Sequence, residues 1–187
     1  PELDTVKIAV RYIPMERIGG DFYTFHVMPD SSIGILLTDV TGHGIPAALI
    51  ASMLKIVSSI LSEYAGLPDR FLREMNRMLT GNMGDHFLTA LYIFIDSGKK
   101  MLFHANAGHE PIILFKRSTG SIMEDNPRGR IIGLTKDDDF GLSSTPLDSG
   151  DRIFLFTDCI TEALNSDEKQ FGIDSFKIAI LETADMD

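Results

Sequence analysis

Between Ile33 and Tyr64 the hydrophobic pattern changes period once, and that change constrains the fold more than any other feature of the chain. Ile33 to Thr38 is a short apolar run of strand length. From Ile45 onward Leu49, Met53, Ile56, Ile60 and Tyr64 recur at helical spacing, with Pro46 in the first turn, where a missing N–H costs nothing. Leu54, Val57 and Leu61 widen the apolar face and predict a helix buried on more than one side. The joint is Asp39-Val40-Thr41-Gly42-His43-Gly44. A strand that runs into a buried helix demands layers of sheet and helix. A simple turn between them needs neither the acid nor the histidine, so the joint is a candidate for chemistry.

The flanking segments fill out those layers. Val6, Ile8, Val10 and Tyr12 alternate with Lys7, Ala9 and Arg11, the period of a half-buried strand. Asp21 to Met28 reads as a strand turned into Ile33–Thr38 by Pro29-Asp30-Ser31-Ser32. After Gly66 and Pro68 a second helix carries Phe71, Leu72, Met75, Met78 and Leu79 on one face and Arg70, Arg73, Glu74 and Arg77 mostly on the other. Strands are predicted at Phe87–Ile95, Met101–Ala105, Ile112–Phe115 and Ile153–Thr157, with a hairpin connection at Ser97-Gly98-Lys99-Lys100 and a last helix from Ser175. The stretch from Glu124 to Asp151, rich in Asp, Gly and Ser, reads as a functional loop or mobile flap. The order predicts an α+β fold with mainly antiparallel sheets.

Composition narrows the function. The 187 residues suffice for one domain with a sizeable core, and their charged fraction of 24% is that of an ordinary globular protein. A net charge of −10 argues against nucleic acid, whose phosphates it repels. It leaves room for a phosphorylated substrate where bound cations reverse the local field. The single cysteine forms no internal disulfide, which favours a cytoplasmic setting. No uninterrupted apolar run reaches the ~20 residues of a membrane helix, so no direct membrane insertion is expected.

The acids at the ends of apolar runs carry the chemical signal. Leu36-Leu37-Thr38-Asp39 is echoed by Leu155-Phe156-Thr157-Asp158, and Asp21 follows Gly19-Gly20 directly. A carboxylate at the mouth of a core is costly unless it is paired, hydrogen-bonded or bound to metal. Three such acids without basic neighbours favour metal, and oxygen ligands without a Cys or His cluster favour Mg²⁺ or Mn²⁺ over zinc. Taken singly, a strand-end aspartate is more often a cap or turn residue, His43 more often structural than catalytic, and Gly42 and Gly44 serve backbone freedom. Cys159 is no tyrosine-phosphatase nucleophile, because Asn165 stands where that chemistry requires Arg.

The motifs occur together in one order: Ile18-Gly-Gly-Asp-Phe-Tyr23, Asp39-Val-Thr-Gly-His-Gly-Ile-Pro-Ala-Ala48, Asn106-Ala-Gly-His109, Ser149-Gly-Asp-Arg152, Thr157-Asp158, Thr161-Glu-Ala163 and Phe171-Gly172. From about Val6 to about Phe176 the chain resembles the bacterial SpoIIE/RsbU-type serine/threonine phosphatases, a branch of the PPM metal-dependent phosphatases. The resemblance implies an α+β fold, a β-sandwich of two mainly antiparallel sheets flanked by helices. It implies a Mn²⁺ or Mg²⁺ site, binuclear in the complete domain, held by Asp21, Asp39, the main-chain carbonyl of Val40, and Asp158. The three aspartates would act in catalysis through the metals and a bridging water, whose hydroxide attacks phosphorus in line.

The family further implies a phosphoserine or phosphothreonine substrate on a regulatory protein, often a STAS-domain anti-anti-sigma factor in a partner-switching pathway, and an N-terminal sensor or receiver domain in the parent chain. This chain departs from the family pattern at Thr24, Glu110 and Cys159. The family's closing Asp-Asp-x-Thr strand is also missing. Residues 1–187 are therefore expected to be a single phosphatase domain lacking its C-terminal strand, cut from a longer multidomain signalling protein, whose metal affinity suffers for want of that last acid. The alternative reading is a non-catalytic pseudophosphatase that recognises a partner.

Overall fold

The computed structural model describes residues 5–13, 19–42 and 44–185. Ile18, Pro14 and His43 of the sequence motifs lie outside the described residues. The chain divides into two compact units, residues 1–109 with 127–146, and residues 110–126 with 147–187.

The first unit is built on a five-stranded antiparallel sheet. Its strands are β1 (Phe22–Val27), β2 (Ile33–Val40), β3 (Leu88–Asp96), β4 (Met101–Ala107) and, beyond a stretch belonging to the second unit, β7 (Ser143–Pro146), in the order β1-β2-β3-β4-β7. Two helices, α1 (Ile45–Ile60) and α2 (Pro68–Leu79), are joined by a 3₁₀ turn at Leu61–Tyr64. Strand alternation sends Leu36 and Val40 of β2, Leu88, Ala90 and Tyr92 of β3, and Ala105 and Ala107 of β4 into one core. There they meet Ala47, Ile50, Leu54 and Val57 of α1 and Phe71, Leu72, Met75 and Leu79 of α2. Tyr92 stacks on Phe71 with centroids 4.0 Å apart and donates its hydroxyl to the Ala65 carbonyl at 3.0 Å, so its polar tip is satisfied in the core. Burial pushes that phenol far above its ordinary pKa.

Both predicted turns form. Met28 N donates to Ser32 O at 2.9 Å, and Lys99 N donates to Asp96 Oδ1 at 2.8 Å. Three expectations need correction. Residues 5–13 form no strand: period-2 alternation permits a strand, but a strand also needs a neighbour for its main chain. Helix α1 is not buried on several sides, for Ile45, Leu49, Ile56 and Ile60 are 57–70% exposed while Ala47, Ile50, Leu54 and Val57 face the core. With its 3₁₀ extension it spans 20 residues at mean hydropathy 1.8, long and apolar enough to cross a membrane by length and composition alone.

The third correction concerns the expected flap. Within residues 127–146, Ile132 exchanges main-chain hydrogen bonds with Leu88 at 2.9 and 3.1 Å, and β7 adds the fifth strand. Ile132 and Phe140 join the core. Asn76 of α2, fully buried, donates its amide to Thr135 O at 2.7 Å and accepts from Gly133 N at 3.0 Å. Asp138, 5% exposed, takes Arg130 and the Thr135 hydroxyl. The polar residues that look like a solvated loop in sequence are held by partners, some nearly 60 positions away.

The second unit holds a three-stranded antiparallel sheet, β6-β5-β8, from β5 (Ile112–Lys116), β6 (Ser121–Asp125) and β8 (Arg152–Phe154), with α3 (Gly172–Glu182). Its small core gathers Ile113, Phe115, Phe156 and Ile180, with Phe176 edge-on to Phe156 at 4.9 Å. β6 escapes a sequence reading because only Ile122 of its five residues is a core contributor. The Ser149-Gly-Asp-Arg152 motif is structural here. The Asp151 side chain, 2% exposed, accepts from Asp148 N at 2.9 Å and Arg117 N at 3.0 Å and pairs with Lys116. Burial alone would raise its pKa, but these donors hold the carboxyl below its ordinary value.

Candidate metal centre

The joint that opened the sequence analysis is a corner between β2, β3 and α1. Thr41, just past β2, donates its N–H and its hydroxyl to Phe87 O at 2.9 and 3.0 Å and accepts from Phe87 N at 3.0 Å. A ring nitrogen of His86 lies 2.8 Å from Thr41 O. These bonds tie the end of β2 to the start of β3. Gly42 and Gly44 then take φ of 90° and 77°, the left-handed region open to glycine, and Pro46 follows in the first turn of α1. The turn is sharp because the strand end before it is fixed.

That fixed end carries the candidate ligands. The β1–β2 ladder ends with Phe22 opposite Thr38, and Asp21 and Asp39 are the next residues of the two segments. Both residues are half-buried. Like charges that face one another on neighbouring strands are destabilising, and a cation or hydrogen-bond donors offset that cost. The next step of the ladder brings Gly20 to Val40. A Cβ on Gly20 would lie 2.9 Å from the Val40 carbonyl oxygen and 3.4 Å from the Ala47 Cβ. Only a residue without a side chain permits so close an approach of the two main chains. Two carboxylates and a main-chain carbonyl are hard oxygen donors, which fit Mg²⁺ or Mn²⁺ and do not fit a soft metal. Tyr12 donates its hydroxyl to the Asp21 carbonyl at 3.2 Å; burial first, then the Asp21 charge, raises its pKa.

Asp158 belongs to the second unit and sits differently. β8 ends at Phe154, so the predicted strand through Thr157 is not formed and Asp158 is not a strand-end acid. It lies exposed in a turn, where its carbonyl accepts from Glu162 N at 2.8 Å and from the Thr161 hydroxyl at 3.1 Å. Cys159 is exposed beside it, its Sγ 3.0 Å from the Thr157 hydroxyl. Burial, and then the charges of Asp158, Glu162 and Glu124, push the Glu110 carboxyl above its ordinary pKa. This side of the second unit is therefore strongly acidic.

The structure thus places Asp21, Asp39 and Val40 at one end of the β1–β2 ladder. Among the described residues no group of three His, Cys, Asp or Glu side chains comes together at metal-binding spacing. Sequence reasoning missed Thr89, which stands opposite Asp39 on β3. It has no signal in local sequence, since its place follows from strand register.

Antiparallel sheets with helices and carboxylates at a strand edge define a PP2C-like class of fold. The SiaA-PP2C domain of Pseudomonas aeruginosa superposes with a TM-score of 0.79, covering 92% of this chain and 70% of that one at 24% identity. The model of the family described as Stage II sporulation protein E (SpoIIE) matches residues 29–187, and the chain belongs to that family. Among curated relatives, the phosphoserine phosphatase RsbU of Bacillus subtilis is 32% identical over 163 residues, which is 87% of this chain and 48% of RsbU. The phosphoserine phosphatase RsbP of the same organism is 28% identical over 164 residues, 85% of this chain and 40% of RsbP. The chain spans about half the length of the curated relatives it matches or less.

Proposed function

We propose that this chain is the catalytic part of a divalent-cation-dependent protein serine/threonine phosphatase. The observation that carries the reading is that the β1–β2 ladder brings Asp21 and Asp39 to its same end, where Gly20 closely approaches the Val40 carbonyl. Membership of the SpoIIE family and likeness to two phosphoserine phosphatases support it.

Asp21, Asp39 and the Val40 carbonyl would hold the cations, and Asp158 is read as a further ligand on its motif alone. Bound Mn²⁺ or Mg²⁺, two ions in the complete site, would supply Lewis acidity toward phosphate oxygens and lower the pKa of an attacking water. The protein's own part is to keep the carboxylates fixed. The three-stranded bonding of β2 and the Thr41 brace prevent their reorganisation as charge moves. Their negative charge, with the net −10 of the chain, explains why an anionic phosphoester would engage the site only with cations present.

The substrate is proposed to be phosphoserine or phosphothreonine on a regulatory protein of the STAS-domain type, in a cytoplasmic partner-switching pathway, with a sensor or receiver domain on the same polypeptide. Phosphate release by the full-length protein from a phosphoserine peptide, with Mn²⁺ and then with chelator, tests the reaction. Metal-dependent turnover is expected, and its loss in Asp39→Asn. Turnover unchanged by chelation overturns the reading; specific capture of the phosphoprotein without turnover marks a pseudophosphatase.

A further inference from the structure

The Asn106-Ala107-Gly108-His109 motif has so far no chemical role, yet it is among the most tightly built parts of the first unit. Asn106 is 1% exposed and His109 6%. The Asn106 amide donates to His109 O at 3.0 Å, and its carbonyl accepts from His109 N at 2.7 Å. Gly108, at φ 70°, closes the turn between them. This clamp fixes the backbone of the histidine and hence the position of its ring.

The ring meets one hydroxyl. His109 Nδ1 lies 2.7 Å from Thr89 Oγ1. Thr89 stands on β3 directly opposite Asp39 in the antiparallel register. Residues so paired project from the same face, with Cβ atoms about 4.5–5.5 Å apart, within reach of a hydroxyl-to-carboxylate hydrogen bond. A threonine hydroxyl has one hydrogen to give and lone pairs to receive. If the imidazole donates from Nδ1, that hydrogen is left for a carboxylate; if the imidazole accepts, it is consumed.

We propose that His109 is a positioning residue for the metal centre. It donates from Nδ1 to Thr89, whose hydroxyl in turn donates to the Asp39 carboxylate. The relay fixes the rotation of that carboxylate and leaves its other oxygen for the cation. Ligating carboxylates are commonly oriented by such outer partners, whose loss costs about 10–100-fold in metal affinity. The proposal rests on Asp39 being a ligand. It gives the Asn-Ala-Gly-His turn a purpose that structural packing alone would not require.

The test is calorimetric titration of the full-length protein with Mn²⁺, accompanied by thermal melts without metal. Thr89→Val keeps the shape of threonine and removes the hydroxyl; it is expected to weaken Mn²⁺ binding about 10–100-fold at a nearly unchanged melting temperature. Thr89→Ser restores binding to near the wild-type value. His109→Gln, which keeps a donor, loses less affinity than His109→Ala. Should His109→Ala fail to fold, Thr89→Val and Thr89→Ser decide the matter between them. Wild-type affinity in Thr89→Val, with affinity lost in Asp39→Asn, overturns the relay and leaves the ligand reading standing. Unchanged affinity in Asp39→Asn overturns the ligand reading and the relay with it.

Discussion

Two tetrapeptides, Leu36-Leu37-Thr38-Asp39 and Leu155-Phe156-Thr157-Asp158, share a pattern and end in the same dipeptide, yet they occupy unlike surroundings. The first lies in an eight-residue strand bonded on both sides, with Thr38 fully buried and its hydroxyl donated to Phe22 O at 3.2 Å. The second follows a three-residue strand and enters a turn with its aspartate exposed. An apolar run therefore announces a buried segment without saying whether it will be paired. Pairing supplies fixed direction to the acid at its end, and only Asp39 has it.

The sharpest way to break this comparison is to neutralise each acid. Asp39→Asn and Asp158→Asn are both expected to abolish Mn²⁺-dependent phosphate release. In metal-free melts they should differ. Asp39 ends a strand bonded on both sides, whereas Asp158 sits exposed in a turn, so Asp39→Asn should shift the melting temperature by up to about 4 °C and Asp158→Asn by less. A larger shift in Asp158→Asn would break the contrast.

Core truncations sharpen the contrast between the two units. Leu54→Ala in the large first core should cost about 2–5 kcal/mol, and Phe156→Ala in the small second core about 3–5 kcal/mol. Amide hydrogen exchange should show the Phe156→Ala loss confined to residues 110–126 and 147–185. A loss spread evenly through β1–β4 would mean that the chain unfolds as one cooperative unit. Asn76→Ala, which strips the buried amide from the Thr135 and Gly133 main chain, should cost about 1–3 kcal/mol. A cost near zero would return residues 130–140 to the status of a loosely held loop.

A smaller, pH-dependent effect separates Asp151 from the ligand acids. Its folded pKa lies below its unfolded one, so its stabilisation is complete above the ordinary aspartate value of about 4 and fades as pH falls below that. Asp151→Asn should flatten this acid limb of a urea-melt series, and an unaltered limb would rule the contribution out. The smallest effect is expected at the surface. Arg77→Ala, which removes exposed pairs with Glu74 at 3.1 Å and Asp137 at 3.7 Å, should change stability by at most about 1 kcal/mol.

Much of the fold was legible because it rests on local periodicity. The turn at residues 29–32, the hairpin at 97–100, both helices of the first unit and most central strands could be read from spacing alone. The errors share one cause. Residues 5–13 carry a strand pattern without a strand, residues 143–146 carry a strand without a pattern, and α1 turns apolar residues outward; in each case contacts distant in sequence decided. Asp21 and Asp39 were readable as candidate ligands because charge at the end of an apolar run is costly wherever it occurs.

By itself the sequence determined most of the helices and central strands, the acidic character of the chain, and the motifs that mark the SpoIIE family. These depend on side-chain chemistry and on periods of a few residues. Tertiary structure alone decided that Phe22 pairs with Thr38 beside the two aspartates, that Gly20 closely approaches the Val40 carbonyl, and that Thr89 links Asp39's strand to His109. Each of those is a matter of register between residues 16 to 50 positions apart, as the numbering of the pairs shows. Hydrogen-bonded ladders choose among registers by the summed packing of a whole sheet face, and a shift of one residue would send every one of these groups to the opposite side.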